Sequence, residues 1–148
     1  MNAQQLLKLY IFQRGMEIYG YFLFELAERL GLEDSPEIED VLNKITAENI
    51  DSLYEEFKWE PAVADARDET RSCGRKTHLP SNLYTRSYET EVVAIMLGDK
   101  WVAWDYIYGG GKHSDPDNDY DWIAYSRFVN CAEKKVMVTE FAFSEVEA

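Results

Sequence analysis

Three consecutive glycines, Gly109 to Gly111, run into Lys112 and His113, and four aspartates follow at alternate positions, Asp115, Asp117, Asp119 and Asp121. A glycine-rich loop beside a lysine suggests a phosphate cradle. That motif needs GxxxxGK[ST] between a strand and a helix, so that aligned backbone N–H groups face the anion. Here Lys112 is followed by His113 and Ser114, which leaves a weaker anion site made by Lys112, His113 and backbone amides. Alternate aspartates suggest a calcium loop, which also needs Gly at its sixth position and Glu at its twelfth. Counted from Asp115 those positions hold Tyr120 and Ser126, and from Asp117 they hold Trp122 and Phe128. Neither register fits. The run reads as a solvated acidic loop that offers Asp115, Asp117 and Asp119 to a partner.

The remaining inventory for catalysis is thin. The two imidazoles, His78 and His113, lie outside any GxSxG, HExxH or HxE…PCxxC context. Cys73 stands near Arg71, Arg75, Lys76 and His78, a setting in which positive charge can stabilise a thiolate and a Cys–His pair can act as nucleophile and base. Proximity along a loop is weak ground for such a pair. Cys73 and Cys131 lack metal-type spacing, and a structural zinc site needs about four N or S ligands. No catalytic residue, metal or cofactor is therefore expected, and the cysteines read as reduced thiols of a cytoplasmic protein.

Charge is the strongest global signal. The net charge of −13 over 148 residues repels bare nucleic acid and acidic membranes and attracts basic partners. It is unevenly spread. Residues 1–64 hold 13 acids and 5 bases, residues 65–87 hold 3 and 5, and residues 88–148 hold 12 and 5. The basic segment, with Arg71, Arg75, Lys76 and His78, reads as a partner for the chain's own carboxylates or for an acidic surface. The apolar N-terminal stretch is interrupted by Lys8, Arg14 and Glu17 and carries no leader pattern, so neither a membrane span nor a targeting segment is expected.

The elements that must position these groups follow from periodicity. One long helix is expected over 3–30, capped by Gly31, with Gly15 and Gly20 weakening it locally as a bend or a close helix contact; its apolar residues cover more than one stripe, as in a helix packed on two sides or one forming a homodimer. Ser35-Pro36 is expected to start a second helix and Thr46 a third, the latter with Glu48, Asp51, Glu55 and Glu56 on its outer face. Pro61 is expected to open a fourth, running to Cys73-Gly74. From Tyr88 the period changes to 2. Strands are expected over 91–97, 100–108, 123–130 and 136–143, the first two joined by a Gly98-Asp99 hairpin. Residues 1–148 then form a single α+β domain, a helical half packed on a small antiparallel sheet. Alternation places Val102, Trp104, Tyr106 and Tyr108 on one face of the second strand, and Trp104, Tyr106 and Tyr108 are the aromatic anchors expected to reach a partner.

These features favour a non-enzymatic acidic protein that occupies a basic surface, above all that of a nucleic-acid-binding protein. Glu48, Asp51 and Glu55 lie roughly 5 to 10 Å apart along a helix, a spacing comparable to DNA phosphates. Small inhibitors such as phage counter-defence and toxin-immunity proteins are of this type in size and charge. Two alternatives stand beside it: a small enzyme or anionic-ligand binder centred on the loop 109–121, and a homo-oligomeric structural protein.

Overall fold

A computed structural model describes residues 1–81, 83, 88–111, 115 and 120–147. Within them five helices precede a four-stranded antiparallel sheet, the α+β arrangement expected from the sequence. The helices are α1 (Ala3–Ile18), α2 (Gly20–Arg29), α3 (Ile38–Lys44), α4 (Ile50–Phe57) and α5 (Pro61–Arg71); the strands are β1 (Arg75–Lys76), β2 (Glu89–Leu97), β3 (Lys100–Tyr108) and β4 (Arg127–Val129), in spatial order β1-β2-β3-β4.

The single long helix expected at the N-terminus is two. Tyr19 leaves the helical region, with φ −123° and ψ 101°, and serves as both the C-cap of α1 and the N-cap of α2. Its hydroxyl hydrogen-bonds Asp65 on α5, which ties the break in place. The change of direction lets Phe12 and Phe22 meet across the break, with ring centroids 5.8 Å apart. α1 itself starts on a capping box, Asn2 accepting from the Gln5 N–H and Gln5 accepting from the Asn2 N–H. Leu7, Ile11, Phe12 and Met16 of α1 are buried, Leu6 and Leu9 pack against the core, and Ile18 is exposed; α1 packs on α5, α4, α3, α2 and β4.

Two helix starts also differ from expectation. α3 begins at Ile38, after a capping box of Glu37 and Asp40, because these carboxylates satisfy the first free N–H groups better placed than Ser35 can. α4 begins after a turn in which the Asn49 side chain bonds the Thr46 N–H and the Lys44 carbonyl, so Asn49 and not Thr46 organises the entry. Pro61 does open a helix, at its first position.

β2 and β3 pair along nine residues, from Glu89 opposite Tyr108 to Leu97 opposite Lys100. The hairpin turn holds Gly98 at φ +67°, the positive angle required at the first central position of a type II′ turn. Gly74, before β1, is needed for a different reason. A Cβ there would lie 2.7 Å from Val93 Cβ, one strand away. Gly74→Ala is expected to cost about 1–3 kcal/mol by forced displacement of β1 from β2, measurable as a lower urea midpoint with an unchanged slope.

The other two expected strands are corrected. Residues 123–126 form a turn, leaving three residues of β4, which pair with Trp101 to Ala103. Residues 136–143 pair with nothing among the described residues and are exposed. β1, which periodicity did not reveal, supplies the fourth strand instead.

One core spans the helix–sheet interface. Phe12, Phe22, Leu26, Ile50, Val63, Val102 and Trp104 all belong to it. The opposite face of the sheet carries a smaller cluster of Val92, Ala94 and Ala103, flanked by Trp101 and Val129.

Candidate acidic surface

Trp104 is fully buried, and its indole Nε1–H donates to the Arg71 carbonyl at 2.9 Å. It stands 5.4 Å, centroid to centroid, from Trp122, which is also buried. The residue expected to anchor a partner is thus the centre of the helix–sheet interface, because its face of β3 is the one the helices cover. Tyr106 and Tyr108 lie further along the same face, half-buried and stacked on each other at 5.2 Å. The Arg71 guanidinium sits over the Tyr106 ring at 5.2 Å and donates to the Ile107 carbonyl at 2.6 Å. A hydrogen bond to Glu89 raises the Tyr108 phenol above its ordinary range. Arg71 is therefore a structural bolt between α5 and β3, not a free basic contact. Lys76 lies 3.3 Å from Glu91, so part of the basic segment does pair with the chain's own acids.

The outer face of α4 is less available than its sequence suggests. Asp51 accepts from Lys8 at 2.9 Å and from Gln5 at 3.2 Å, and the Lys8 ammonium holds its carboxyl below the usual carboxylate range. Glu55 pairs with Lys58 at 2.7 Å and Glu56 with Arg29 at 2.9 Å. Glu48 is exposed. Surface pairs of this kind are worth about 0–1 kcal/mol, so a stronger basic ligand can displace them, but each displacement subtracts from binding.

The neighbouring surface of α2 and the α2–α3 connection differs. From Glu25 to Asp40 the chain has seven carboxylates and one base, Arg29, a net −6 in sixteen residues (7 acids − 1 base = 6). Glu28, Glu33, Asp34, Glu37, Glu39 and Asp40 are exposed. Glu25 is half-buried, and its Oε2 has no hydrogen-bond partner. Partial burial, and then the nearby charges of Glu60 and Glu28, push its carboxyl above the ordinary range. Glu25, Glu28, Arg29, Phe57 and Glu60 line one shallow depression, and through Arg29 and Glu56 this surface continues onto α4.

Aromatic side chains stand within and beside it. Phe24 is 61% exposed, Tyr21 is also exposed, and Trp59, one residue before Glu60, is 70% exposed under the cations of Lys58 and Arg67. Phe24 carries a sequence signal: it falls between the positions of Phe22 and Leu26 that α2 buries, on the stripe of Tyr21, Glu25 and Glu28. Reading residues 3–30 as one helix hid that stripe.

The sign of the Glu25 effect can be tested directly. A folded-state pKa above the unfolded value contributes stability below the ordinary glutamate range and loses it as pH rises through the folded value. Glu25→Gln removes the repelled charge, so a small gain at neutral pH is expected, within about 0.5 kcal/mol, together with weaker binding of a basic partner. A lower melting temperature for this variant at pH 7 would contradict the crowding of carboxylates.

The chemistry elsewhere is quiet. Partial desolvation, followed by the charge of Glu69, raises the Cys73 thiol, opposite to what a nucleophilic thiolate requires. A cavity of about 200 Å³ lies between Lys8, Tyr54, Lys58, Arg67, Tyr120 and Trp122. Lys8 and Lys58 are already paired there. Among the described residues no group of three or more His, Cys, Asp or Glu is placed to hold a metal ion, and no helix is long and apolar enough to cross a membrane. Asp115 is exposed, whereas Lys112, His113, Asp117 and Asp119 lie outside the described residues. No family model, curated protein or solved structure matches this chain.

Proposed function

We propose that this protein is a non-enzymatic acidic inhibitor or regulator that occupies the basic surface of a macromolecular partner, of the kind that otherwise binds nucleic acid. The observation that carries the reading is the concentration of −6 between Glu25 and Asp40, with exposed Phe24 on the same helix as Glu25 and Glu28. Carboxylates at this density accelerate encounter with a basic surface and impose a strong salt dependence. Exposed aromatic rings supply the contact that survives salt, since Trp and Tyr dominate interface hot spots. Glu25 deepens the reading. A carboxylate crowded by Glu28 and Glu60 is destabilised alone and relieved when an arginine or lysine arrives, so binding gains energy that folding forgoes.

The α2–α3 surface is the primary contact in this reading, and Glu48, Asp51, Glu55 and Glu56 form its flank across the Arg29–Glu56 pair. Tyr106, Tyr108 and Asp115 take a secondary role in this reading, as do Asp117 and Asp119, which lie outside the described residues.

The test is capture of partners from the native host at low and high salt, followed by competition. The expected result is a basic protein retained at low salt, weakened steeply by salt, and displaced by DNA or RNA. A partner that is acidic, or one that binds this chain and nucleic acid at the same time without competition, would overturn the reading.

A further inference from the structure

Residues 130–147 leave β4 without helix or strand pairing, yet their sequence is that of a strand. In an extended chain Met137, Phe141 and Phe143 fall on one face. They are exposed, Phe141 by 80% and Phe143 by 94%, and Val136, Val138 and Val146 are exposed as well. So many large apolar groups on one segment exceed the scattered exposure normal for a soluble surface and mark a contact.

A complementary surface exists on the same molecule. The sheet face away from the helices carries a groove of about 700 Å³. Ala94, Trp101 and Val129 line it as an apolar floor, with three bases, Arg75, Lys134 and the Glu91-paired Lys76, against one acid, Glu133. Beyond Lys135 the arm has carboxylates at Glu140, Glu145 and Glu147 and no base. Apolar stripe thus matches apolar floor, and acidic arm matches basic rim, within a chain that is otherwise strongly negative. Asn130 to Lys134 themselves form a wall of the groove, so the arm departs from the site it fits.

We propose that residues 136–147 are an arm exchanged between two copies of this chain, each seated in the groove of the other. A two-fold axis satisfies both arms at once, because the same patch and the same segment occur on each copy. This assignment is independent of the acidic surface on α2 and α3 and of the homodimer through α1 expected from the sequence.

Sedimentation velocity of the full chain at tens of micromolar tests it. The expected mass is about twice 17.2 kDa, and the double variant Phe141→Ser/Phe143→Ser is expected to sediment as a monomer with unchanged thermal unfolding of the helices. Both phenylalanines are outside the core, so loss of fold does not confuse the result. Arg75→Glu/Lys76→Glu is expected to weaken the dimer at least about tenfold at low salt, and Glu140→Lys/Glu145→Lys in the same chain to restore it. A wild-type monomer, including one whose arm folds into its own groove, overturns the proposal. So does a dimer that survives loss of both phenylalanines, or one indifferent to reversal of the rim.

Discussion

Changing Glu25, Glu28 and Glu33 together to lysine is expected to weaken binding of the basic partner about 100-fold at low salt and to flatten its salt dependence. Each exposed charge contact is worth up to about 1 kcal/mol, three sum to about 3 kcal/mol, and every 1.4 kcal/mol is tenfold in affinity. Association should slow more than dissociation accelerates, because rim charges act mainly on encounter. The fold is expected to survive. Glu28 and Glu33 are exposed, and the Oε2 of Glu25 makes no hydrogen bond that lysine would remove. The companion triple, Glu48→Lys/Asp51→Lys/Glu55→Lys, should have the smaller effect, since Asp51 and Glu55 are already engaged by Lys8 and Lys58. Binding kinetics of the two triples side by side decide the matter. If the α4 triple abolishes binding and the α2 triple leaves it intact, the primary contact has been assigned to the wrong helix.

Trp104→Ala is expected to destabilise the fold by about 3–5 kcal/mol, more than Gly74→Ala. The loss has two parts. The indole fills the junction of helices and sheet against Trp122, and its N–H satisfies the Arg71 carbonyl. A domain of this size has about 5–15 kcal/mol in total, so the variant retains a fraction of its stability and melts early. Trp104→Phe separates the parts: it keeps much of the packing but orphans the carbonyl, for an expected cost of about 1–3 kcal/mol. Urea unfolding followed by circular dichroism measures both. A Trp104→Ala protein as stable as wild type would place this side chain at the surface after all.

The contrast between Trp104 and Phe24 shows what the sequence disclosed and what it hid. Alternation assigned Trp104 to a face of β3 but could not say which face the helices would cover, because both faces carry large apolar residues. Phe24 was hidden by the break at Tyr19, which Gly20, immediately after it, marked as a local bend and not as the end of one helix and the start of another. That break depends on a tertiary contact, Tyr19 with Asp65, which local propensity does not encode. The β2–β3 hairpin was legible to within two residues because its signal is local: strict alternation, a glycine at the turn and β-branched residues on both sides. β1 was not, since two residues, Arg75 and Lys76, pair with β2 through position alone. The acidic character was visible as a sum, whereas its availability was not. Lys8 and Arg29 come from elements whose proximity to α4 is a property of the packed bundle, whereas Lys58, the C-cap of α4, reaches Glu55 locally; together they neutralise the helix whose charges were most evenly spaced.

α1 has one further consequence, for synthesis in the cell. It is translated well before the elements that cover it, which include α5 and β4, and Gln4 donates to the Ser126 carbonyl at 2.7 Å. At about 5–20 residues per second, several seconds pass between translation of Leu7 and of Phe128. Throughout that interval Leu7, Ile11 and Phe12 await their neighbours, so the nascent chain is a natural client for a chaperone that holds apolar helices.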